Sequence, residues 1–315
     1  MLEQYTISNI TFSDWQSLWS HAAVTNMPQA WEYGNMKAEV EGWKPKRVAV
    51  FNANQQPVAL VQWLTKTLPV IGGIARLNRG PIFLDTHNLQ SQIEITQAVL
   101  RMARRNRWWI IQVAPELPNE TDVHHTLTQR KLRQRQTPAW GSGLIDLRFA
   151  EADLLHHLQG TWRNCLRKGQ RLGVTVKRST DIDQLLQSYQ ILQKQRDFQG
   201  LSETQIRTLA QYHTLHWQFN CFVAEKENEI VGHLVSVHHG NTATYLIGTT
   251  TDQGRSAQAN SVLLWEAILH AKQAECHWFD VGGLNAATPA GIAKFKKGLN
   301  PTLYELVGEW RGYLC

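Results

Sequence analysis

The feature that most constrains the fold is a pattern that occurs twice along the chain. Residues 47–64 (RVAVFNANQQPVALVQWL) and residues 220–237 (NCFVAEKENEIVGHLVSV) are equal in length, and each has two apolar runs separated by a polar turn. Runs rich in Val, Phe and Ala around a turn rich in Asn, Gln and Glu are typical of β-hairpins. Two such hairpins within 315 residues predict a duplicated unit.

Each predicted hairpin is followed by a long helix and then by an apolar strand. We expect helices at 89–106 and 259–275, which lead into strands at 108–113 and 277–281. In the second helix the apolar residues recur every three or four positions and form one face, made of Val262, Leu263, Trp265, Ile268 and Leu269. Hairpin, strand, helix and strand in this order predict an α/β (α+β) fold, with helices packed on mixed sheets.

The duplication divides the chain into two expected domains. We place them at residues 1–150 and 151–315, and the C-terminal segment is a candidate to pack back on the first domain. In the second half, a strand at 242–249, a loop at 250–258, a helix and a strand follow the order of the GNAT acyltransferase fold. In that fold the loop binds a pyrophosphate at a helix N-terminus. Here the loop has a single glycine, Gly254, so a phosphate-binding loop and a simple connection both remain open.

Several classes of protein are excluded by composition. No stretch of 18 apolar residues is present, so we expect no transmembrane segment. The first residues lack a basic start followed by an apolar run, so we expect no secretory signal. The four cysteines are scattered and form no C-x-x-C, which favours reduced thiols and a cytoplasmic protein.

Tryptophan and basic residues are the two unusual parts of the composition. The chain has 13 Trp, which we assign mainly to packing of the sheets, and a net charge of +6, which favours anionic partners. The basic residues concentrate in three runs, at 101–107, 130–135 and 163–178. Runs of this kind are either solvated surfaces or binding sites for polyanions.

Five segments together resemble the FemABX family of peptidoglycan-precursor aminoacyltransferases. In chain order they are WEYGNMKAEVEGW (31–43), RGP (79–81), TWRNCLRKGQRLGVTV (161–176), FDVGG (279–283) and KFKKGLNP (294–301). The resemblance extends from about residue 31 to residue 308. It implies two tandem GNAT-like domains in a bacterial enzyme. The implied activity moves an amino acid from aminoacyl-tRNA to an amine of a cell-wall precursor.

The implied partners follow from that activity. They are aminoacyl-tRNA and a UDP-linked or lipid-linked muramyl peptide, and a lipid-linked precursor would add peripheral contact with the membrane. No cofactor is implied. No metal site is expected either, because the adjacent histidine pairs point apart and no third ligand stands at a recognisable spacing.

The substrate-binding candidates are mostly basic. Arg163, Arg167 and Arg171 are spaced four residues apart and share one helix face, where like charges would favour an anion opposite. The resemblance assigns Arg163 and Lys37 to the diphosphate of the precursor, and Tyr33 is the aromatic residue one helical turn before Lys37. Arg167 is a candidate because it shares the helix face of Arg163. An alternative for each is an ordinary solvated side chain. Tyr245, in the predicted strand 242–249, is a further candidate.

The catalytic candidates are Phe295, Lys296 and Asp280. Thr288 as N-cap and Pro289 at the first position predict a helix at 289–298, anchored by Ile292, Phe295 and Leu299. Lys294, Lys296 and Lys297 fall on other faces of this helix, so an ordinary surface lysine is an alternative for Lys296. The resemblance assigns to Lys296 the stabilisation of charge on the attacked ester carbonyl. Asp280, at the end of a predicted strand, is assigned either to the nucleophilic amine or to capping of the next loop.

Two alternatives to the aminoacyltransferase remain open. One is a CoA-dependent N-acyltransferase that acts on another sugar, peptide or amine. The other is a non-catalytic nucleic-acid-binding protein that uses the basic runs at 101–107 and 130–135.

Overall fold

A computed structural model of the chain describes residues 4–68, 72–84, 88–106 and 108–313. It forms two compact units. The first comprises residues 1–141, 285–287 and 304–315, and the second comprises residues 142–284 and 288–303. The division therefore falls after Gly141, where the sequence placed it after residue 150. The C-terminal residues cluster with the first unit.

In the first unit one strand precedes the first helices, and the remaining strands and helices follow. Its helices are α1 (Phe12–Trp19), a short 3-10 helix (Met27–Gln29), α2 (Trp31–Glu41), α3 (Leu89–Arg105) and α4 (Thr121–Gln129). Its strands are β1 (Tyr5–Asn9), β2 (Lys44–Asn52), β3 (Pro57–Leu68), β4 (Gly72–Gly80), β5 (Ile82–Phe83), β6 (Trp108–Pro115), β7 (Arg133–Gln134) and the C-terminal β15 (Trp310–Tyr313).

The strands of the first unit form one mixed sheet. Within the described residues the order is β1-β2-β3-β4-β6-β15-β7, and β5 pairs with β3. The β2–β3 hairpin is antiparallel, whereas β4 and β6 are parallel and α3 connects them. The α3 side of the sheet carries the core, in which Trp63 packs on Trp108 with ring centroids 5.1 Å apart. Burial of this apolar surface is the main favourable contribution to the folding free energy of the first unit.

The second unit also consists of helices and strands. Its helices are α5 (Glu151–His157), α6 (Gly160–Arg171), α7 (Asp183–Arg196), α8 (Glu203–Gln211), α9 (Asp252–Ser256), α10 (Ala259–Gln273) and α11 (Ala290–Lys297). Its strands are β8 (Gly141–Asp146), β9 (Thr175–Ser179), β10 (Trp217–Lys226), β11 (Glu229–His239), β12 (Thr242–Thr250), β13 (Trp278–Asp280) and β14 (Thr302–Glu305).

The sheet of the second unit repeats the plan of the first. Its order over the described residues is β14-β8-β13-β12-β11-β10-β9. The β10–β11 hairpin is antiparallel, and β12 runs parallel to β13. The connecting helix α10 packs on this sheet through apolar residues such as Val262 and Leu263. The two hairpin–strand–helix–strand units, with mixed sheets and packed helices, confirm the predicted fold class.

Three local predictions were wrong. The segment 250–258 is not an open loop, because Asp252–Ser256 forms α9. Pro289, and not Thr288, is the N-cap residue of α11. Ile292 does not anchor that helix, since it is 37% exposed, and the core contacts are made by Phe295 and Leu299.

Among the helices of the described segments, none combines the length and the hydropathy that a membrane span needs.

A buried polar cluster lies between the sheet of the second unit and α10. It contains Asn220, Ser236, His238 and His270, and each has a buried polar side-chain atom without a hydrogen-bond partner in the described structure. Asn220 and Ser236 are cross-strand partners, and the His238 and His270 rings lie 5.3 Å apart. Burial, and then the neighbouring His270, lower the pKa of His238 to about 3. The folded protein therefore holds His238 neutral.

This burial predicts a loss of stability in acid. The folded state resists protonation of His238 until about pH 3, whereas the unfolded chain takes up the proton near its ordinary pKa of 6.5. The unfolded state binds more protons between these values, so the free energy of unfolding should fall by about 2 kcal/mol from pH 7 to pH 5. Urea titrations at both pH values should show a smaller fall for His238→Gln. An equal fall in this variant would contradict the assignment.

Candidate active site

Lys296 lies on the inner side of α11. Its side chain is only 6% exposed, while the neighbouring Lys294 and Lys297 are exposed. The helix is oriented by Phe295, which packs on Trp162 with ring centroids 5.8 Å apart, and by the buried Leu299. The sequence placed all three lysines away from the core face, and this was wrong for Lys296. Burial of a lysine ammonium costs free energy. Buried ionisable groups of this kind occur often at functional sites.

The surroundings of the Lys296 ammonium combine burial with polar contacts. Nζ donates a hydrogen bond to the carbonyl oxygen of Gly283 at 3.2 Å and lies 5.0 Å from the centroid of the Tyr245 ring. Desolvation lowers the pKa of Lys296 to about 8, and the negative charge of Asp280 opposes that shift. An ammonium has three N–H donors. In the described residues only the Gly283 carbonyl accepts one, so the others remain for a substrate oxygen.

Asp280 ends β13 and is 3% exposed. Its Oδ1 accepts the backbone N–H of Gly282 at 2.8 Å and lies within hydrogen-bond distance of the Ser142 hydroxyl. The same hydroxyl lies 2.8 Å from the Gly282 carbonyl oxygen. These contacts cap the loop that follows β13, which is one of the two roles expected for Asp280. The carboxylate also supplies the negative charge that acts on Lys296.

The close approach of Lys296 to the sheet requires a glycine at 282. Gly282 has φ +72°, and a β-carbon there would lie 2.7 Å from the Tyr245 carbonyl oxygen and 3.3 Å from Lys296 Nζ. Glycine alone adopts this conformation without strain and leaves room for both groups. The first glycine of FDVGG therefore allows Tyr245 of β12, the end of β13 and the Lys296 ammonium to lie close together.

Tyr245 forms the aromatic wall of this site. Burial raises the pKa of its hydroxyl to about 12, so the phenol stays protonated. A β-carbon at Gly248 would lie 2.0 Å from the Tyr245 hydroxyl oxygen, so the hydroxyl lies directly against this glycine. The ring faces the Lys296 ammonium and stabilises its charge through a cation–π interaction, typically worth 0.5–2 kcal/mol.

A cavity of about 400 Å³ adjoins Phe295 and Trp162. Its other lining includes Gln258 and Ser261 at the start of α10, and Lys294 on α11. Its volume is in the range of small-molecule sites. Phe295 lines this cavity, whereas Lys296, the next residue of α11, contacts Gly283 and Tyr245.

The segment from Thr251 to Gln258 uses most of its backbone donors internally. The amide of Gly254 donates to the Thr251 hydroxyl at 3.1 Å, and the amides of Arg255 and Ala257 donate to the carbonyls of Thr251 and Gln253 at 2.9 Å. A β-carbon at Gly254 would lie 2.2 Å from the Val231 carbonyl oxygen. This glycine therefore serves close packing of α9 on β11, and these amides are not free to bind a pyrophosphate.

The three arginines of α6 have different environments. Arg163 is half-buried, and its Nη1 donates to the carbonyl oxygens of His156 at 2.5 Å and Leu155 at 3.5 Å. It therefore caps the C-terminal end of α5, where carbonyls lack helical partners. Arg167 and Arg171 are exposed and line a surface concavity with Asn164 and Gln170. Of these three arginines, Arg167 and Arg171 are the more exposed.

Tyr33 and Lys37 lie on one face of α2, as their spacing predicted. Lys37 forms an ion pair with Glu41 and lies 5.6 Å from the centroid of the Tyr33 ring. Burial raises the pKa of Tyr33, and Lys37 opposes that shift. Glu41 also accepts a hydrogen bond from the indole N–H of Trp43 at 3.1 Å. Lys66 Nζ lies 4.7 Å from the centroid of the Trp43 ring. Lys37 thus belongs to a larger basic and aromatic surface of the first unit.

A buried polar network positions α2. Arg47 donates to the carbonyl oxygen of Trp31 and to Asn35 Oδ1, both at 2.8 Å, and to Gln62 Oε1 at 2.7 Å. A β-carbon at Gly34 would lie 2.1 Å from Gln62 Oε1. This explains the glycine in the WEYGNMK segment, since no larger residue leaves room for the Gln62 amide.

Substitution of Gly34 should therefore be costly. Gln62 cannot move away, because its Nε2 also donates to the carbonyl oxygen of Ala30 at 2.9 Å and its side chain is buried. Gly34→Ala should lower the free energy of unfolding by about 1–3 kcal/mol, as overpacking does. Chemical denaturation measures this change. The matched control Gly160→Ala meets no neighbouring atom and has no positive φ, so it should cost no stability. An equal loss in the control, or no loss in Gly34→Ala, would contradict the clash.

Three residues that contact the candidate catalytic residues were not predicted from the sequence. Ser142, Trp162 and Gly283 contribute contacts to Asp280, Phe295 and Lys296 respectively. Trp162 lies inside the TWRNCLRKGQRLGVTV segment, so its place next to Arg163 was a usable signal. Ser142 offered none, because it is 138 residues from Asp280 in the chain. No cluster of three or more potential metal-ligating side chains occurs in the described parts of the chain.

Comparisons with known proteins agree with this architecture. A family model described as acetyltransferase (GNAT) domain matches residues 157–297, which contain Phe295, Lys296 and Asp280. Among curated proteins, none matches the sequence significantly.

Solved structures extend the likeness to nearly the whole chain. FemX superposes with a TM-score of 0.78 at 14% identity, over 98% of this chain and 97% of FemX. A tandem GNAT protein from the clavulanic acid biosynthesis pathway gives a TM-score of 0.54 at 11% identity, over 99% of both chains. L-PGS from Bacillus licheniformis gives 0.51 at 11% identity, over 97% of this chain and 92% of L-PGS. Similarity at these identities establishes the fold.

The resemblance to the FemABX family is confirmed as a common architecture, and the expected reaction class agrees with the domain match. The chain is an acyltransferase with a GNAT domain at residues 157–297, and it has the tandem-GNAT fold that it shares with FemX.

Proposed function

We propose that the protein transfers an amino acid from aminoacyl-tRNA to an amine of a peptidoglycan precursor, with Lys296 as the oxyanion-stabilising group. The observation that carries the proposal is the Lys296 ammonium, which is buried and has only the Gly283 carbonyl as acceptor in the described structure. Its remaining N–H donors are available for an oxygen that becomes negative during acyl transfer. Stabilisation of this kind by one preorganised donor is worth about 3–4 kcal/mol.

The proposed reaction needs little other chemistry. Aminoacyl-tRNA is an activated ester, so a deprotonated acceptor amine attacks its carbonyl carbon and forms a tetrahedral intermediate. The carbonyl oxygen gains negative charge next to the Lys296 ammonium. The carbon–oxygen bond to the ribose then breaks, and the ribose hydroxyl recovers a proton while the amine loses one. Positioning and charge stabilisation supply most of the acceleration.

The geometry of the loop after β12 favours tRNA over CoA as the donor. A CoA-dependent GNAT enzyme binds the pyrophosphate through free amides at this position, whereas Gly254, Arg255 and Ala257 donate theirs within the segment. The cavity of about 400 Å³ beside Phe295 is the proposed place for the amino acid and the terminal ribose.

The proposed acceptor is anionic, which fits basic groups present in each unit. In the first unit the Tyr33–Lys37 face of α2 is the candidate for the phosphates of the precursor. In the second unit Arg163 is committed to the end of α5, so exposed Arg167 is the better placed of the two arginines for a phosphate. Arg recognises phosphate through its planar set of donors. The precursor is proposed to be UDP-linked or lipid-linked, which would put the reaction in the cytoplasm.

A donor comparison tests this proposal. The protein is incubated with a UDP-linked muramyl pentapeptide and either a panel of radiolabelled aminoacyl-tRNAs or labelled acetyl-CoA. We expect label in the peptide from at least one aminoacyl-tRNA, and none after RNase treatment of the donor. Transfer that persists after RNase and requires CoA would overturn the proposal and favour the alternative, a CoA-dependent N-acyltransferase.

A further inference from the structure

The first unit has a cavity of about 220 Å³ whose wall is basic. It lies between β1, β2 and α3 and is lined by three cationic side chains, Lys46, Arg101 and Arg105. The polar groups of Tyr5, Asn9 and Asn106 complete the rim. The apolar lining residues are buried or half-buried, and none of them projects into solvent. The cavity thus presents hydrogen-bond donors and positive charge.

A second basic hollow adjoins the first and has Arg101 in common with it. Arg101, Arg104 and Arg130 line it above the buried Leu100 and Leu132. Burial, and then the positive charges of Arg101 and Arg104, lower the pKa of Arg130, so these three guanidinium groups lie close enough to repel one another. Arg130 is held in place by a hydrogen bond from its Nη2 to Gln97 Oε1 at 2.8 Å.

Two arginines of this arrangement have no acidic partner in the residues that the structure describes. Neither Arg101 nor Arg104 takes part there in an ion pair or a side-chain hydrogen bond. The nearest acid along the same helix face is Glu94, two turns before Arg101, and it accepts hydrogen bonds from Gln4 and Gln90. The proximity of the Arg101 and Arg104 charges therefore costs free energy that a bound anion recovers.

We infer that this basic strip, defined as Lys46, Arg101, Arg104, Arg105 and Arg130, binds the phosphate backbone of RNA. The cavity beside Arg101 and the adjoining cluster of Arg101, Arg104 and Arg130 spread positive charge over two neighbouring positions. This distribution suits successive phosphates of one strand better than a single small anion. Arg101 and Arg105 are one helical turn apart, which is about 6 Å along α3. The inference relies on the proposed function only for naming that RNA as the donor tRNA.

RNA is favoured over a membrane surface by the shape and chemistry of the strip. Peripheral membrane binding usually combines basic residues with apolar side chains that enter the lipid. Here the apolar lining residues Ile7, Val48 and Met102 are buried or half-buried beneath the basic groups. The strip is concave and offers phosphate contacts without base stacking, so the binding should be independent of RNA sequence.

Salt-dependent RNA binding tests the inference. Fluorescence anisotropy with a labelled RNA hairpin the length of a tRNA acceptor arm is measured from about 50 to 200 mM salt. Neutralisation of two phosphate contacts in Arg101→Gln/Arg104→Gln should weaken binding about tenfold and reduce the slope of log affinity against log salt by about 1–2. The control Lys194→Gln/Arg196→Gln removes the same charge from exposed positions of α7. It should leave the slope unchanged.

The outcomes separate this inference from the proposed function. Equal loss in both double variants, or no loss in either, would overturn the inference. Binding of wild type to anionic phospholipid vesicles, lost in the Arg101→Gln/Arg104→Gln variant while RNA binding persists, would overturn it too. RNA binding that depends on Arg101 and Arg104 in a protein that transfers only from CoA would support the inference and refute the proposed donor. Because Arg104 is exposed and Arg101 is half-exposed, circular dichroism should show an unchanged fold.

Discussion

Lys296→Met is expected to lower the rate of acyl transfer about 100-fold and, at the same time, to make the protein more stable at pH 7. The loss of rate follows from removal of the ammonium that would face the developing oxyanion. The gain in stability follows from the pKa of about 8, because the folded state penalises the charged form that exists at pH 7. The variant removes that penalty.

The effect of Lys296 on stability depends on pH. The folded-state pKa of Lys296 is about 8, below its ordinary value of 10.5, so the unfolded state binds more protons between these values. Lys296 therefore costs stability that is recovered as the pH rises from about 8 to 10.5. After allowance for the lost Gly283 and Tyr245 contacts, the gain in Lys296→Met at pH 7 should be about 2 kcal/mol.

Lys297→Met is the matched control, because Lys297 is the exposed neighbour on the same helix. It should change neither the rate nor the stability appreciably. Single-turnover transfer measures the rate, and urea denaturation at pH 7 measures the stability. A Lys296→Met protein that retains wild-type transfer would refute the catalytic role, and one that is less stable would refute the burial cost.

Asp280→Asn is expected to lower the rate at least tenfold and to move the alkaline limb of the pH–rate profile to lower pH. In the wild type that limb should lie near pH 8, where the Lys296 ammonium loses its proton. The Asp280 charge opposes the desolvation of Lys296, so its removal lets the pKa fall further. Less of the ammonium then remains at pH 7.5.

The Asp280→Asn experiment distinguishes an electrostatic role from a structural one. Asparagine can still accept the Gly282 N–H at Oδ1, so the loop cap is largely kept. Ser142→Ala is the companion variant, since it removes a contact of the cap without changing charge. We expect a lower rate in Ser142→Ala with the limb near pH 8. A limb displaced equally in both variants would contradict the charge-based account.

The repeated part of the fold could be predicted because its signal is local. The α3 helix was expected at 89–106 and spans Leu89–Arg105, and β6 begins at Trp108 as expected. Alternation and helical spacing reflect which face of an element is buried, so they are visible in sequence. The C-terminal strand β15 pairs with β6 across about 200 residues, and only the tertiary structure shows that pairing.

The candidate site was predictable in its residues but not in its orientation. The resemblance singled out Lys296, yet helical spacing placed its side chain outward with Lys294 and Lys297. The burial of Lys296 results from Gly282, whose positive φ and missing side chain admit the ammonium next to Tyr245. Likewise the spacing of Arg163 put it on the face of Arg167, but the free carbonyls of α5 bind its guanidinium. Contacts between distant segments decide such details.

Transfer of a radiolabelled amino acid from tRNA to a UDP-linked muramyl pentapeptide should be compared between the wild type and Lys296→Met. With the wild type we expect a peptide product whose mass increases by one amino-acid residue. With Lys296→Met we expect about 100-fold slower formation of the same product, although this variant is folded and stable. Equal rates in the two proteins would refute the role of Lys296, and a product formed only from acyl-CoA would refute the tRNA donor.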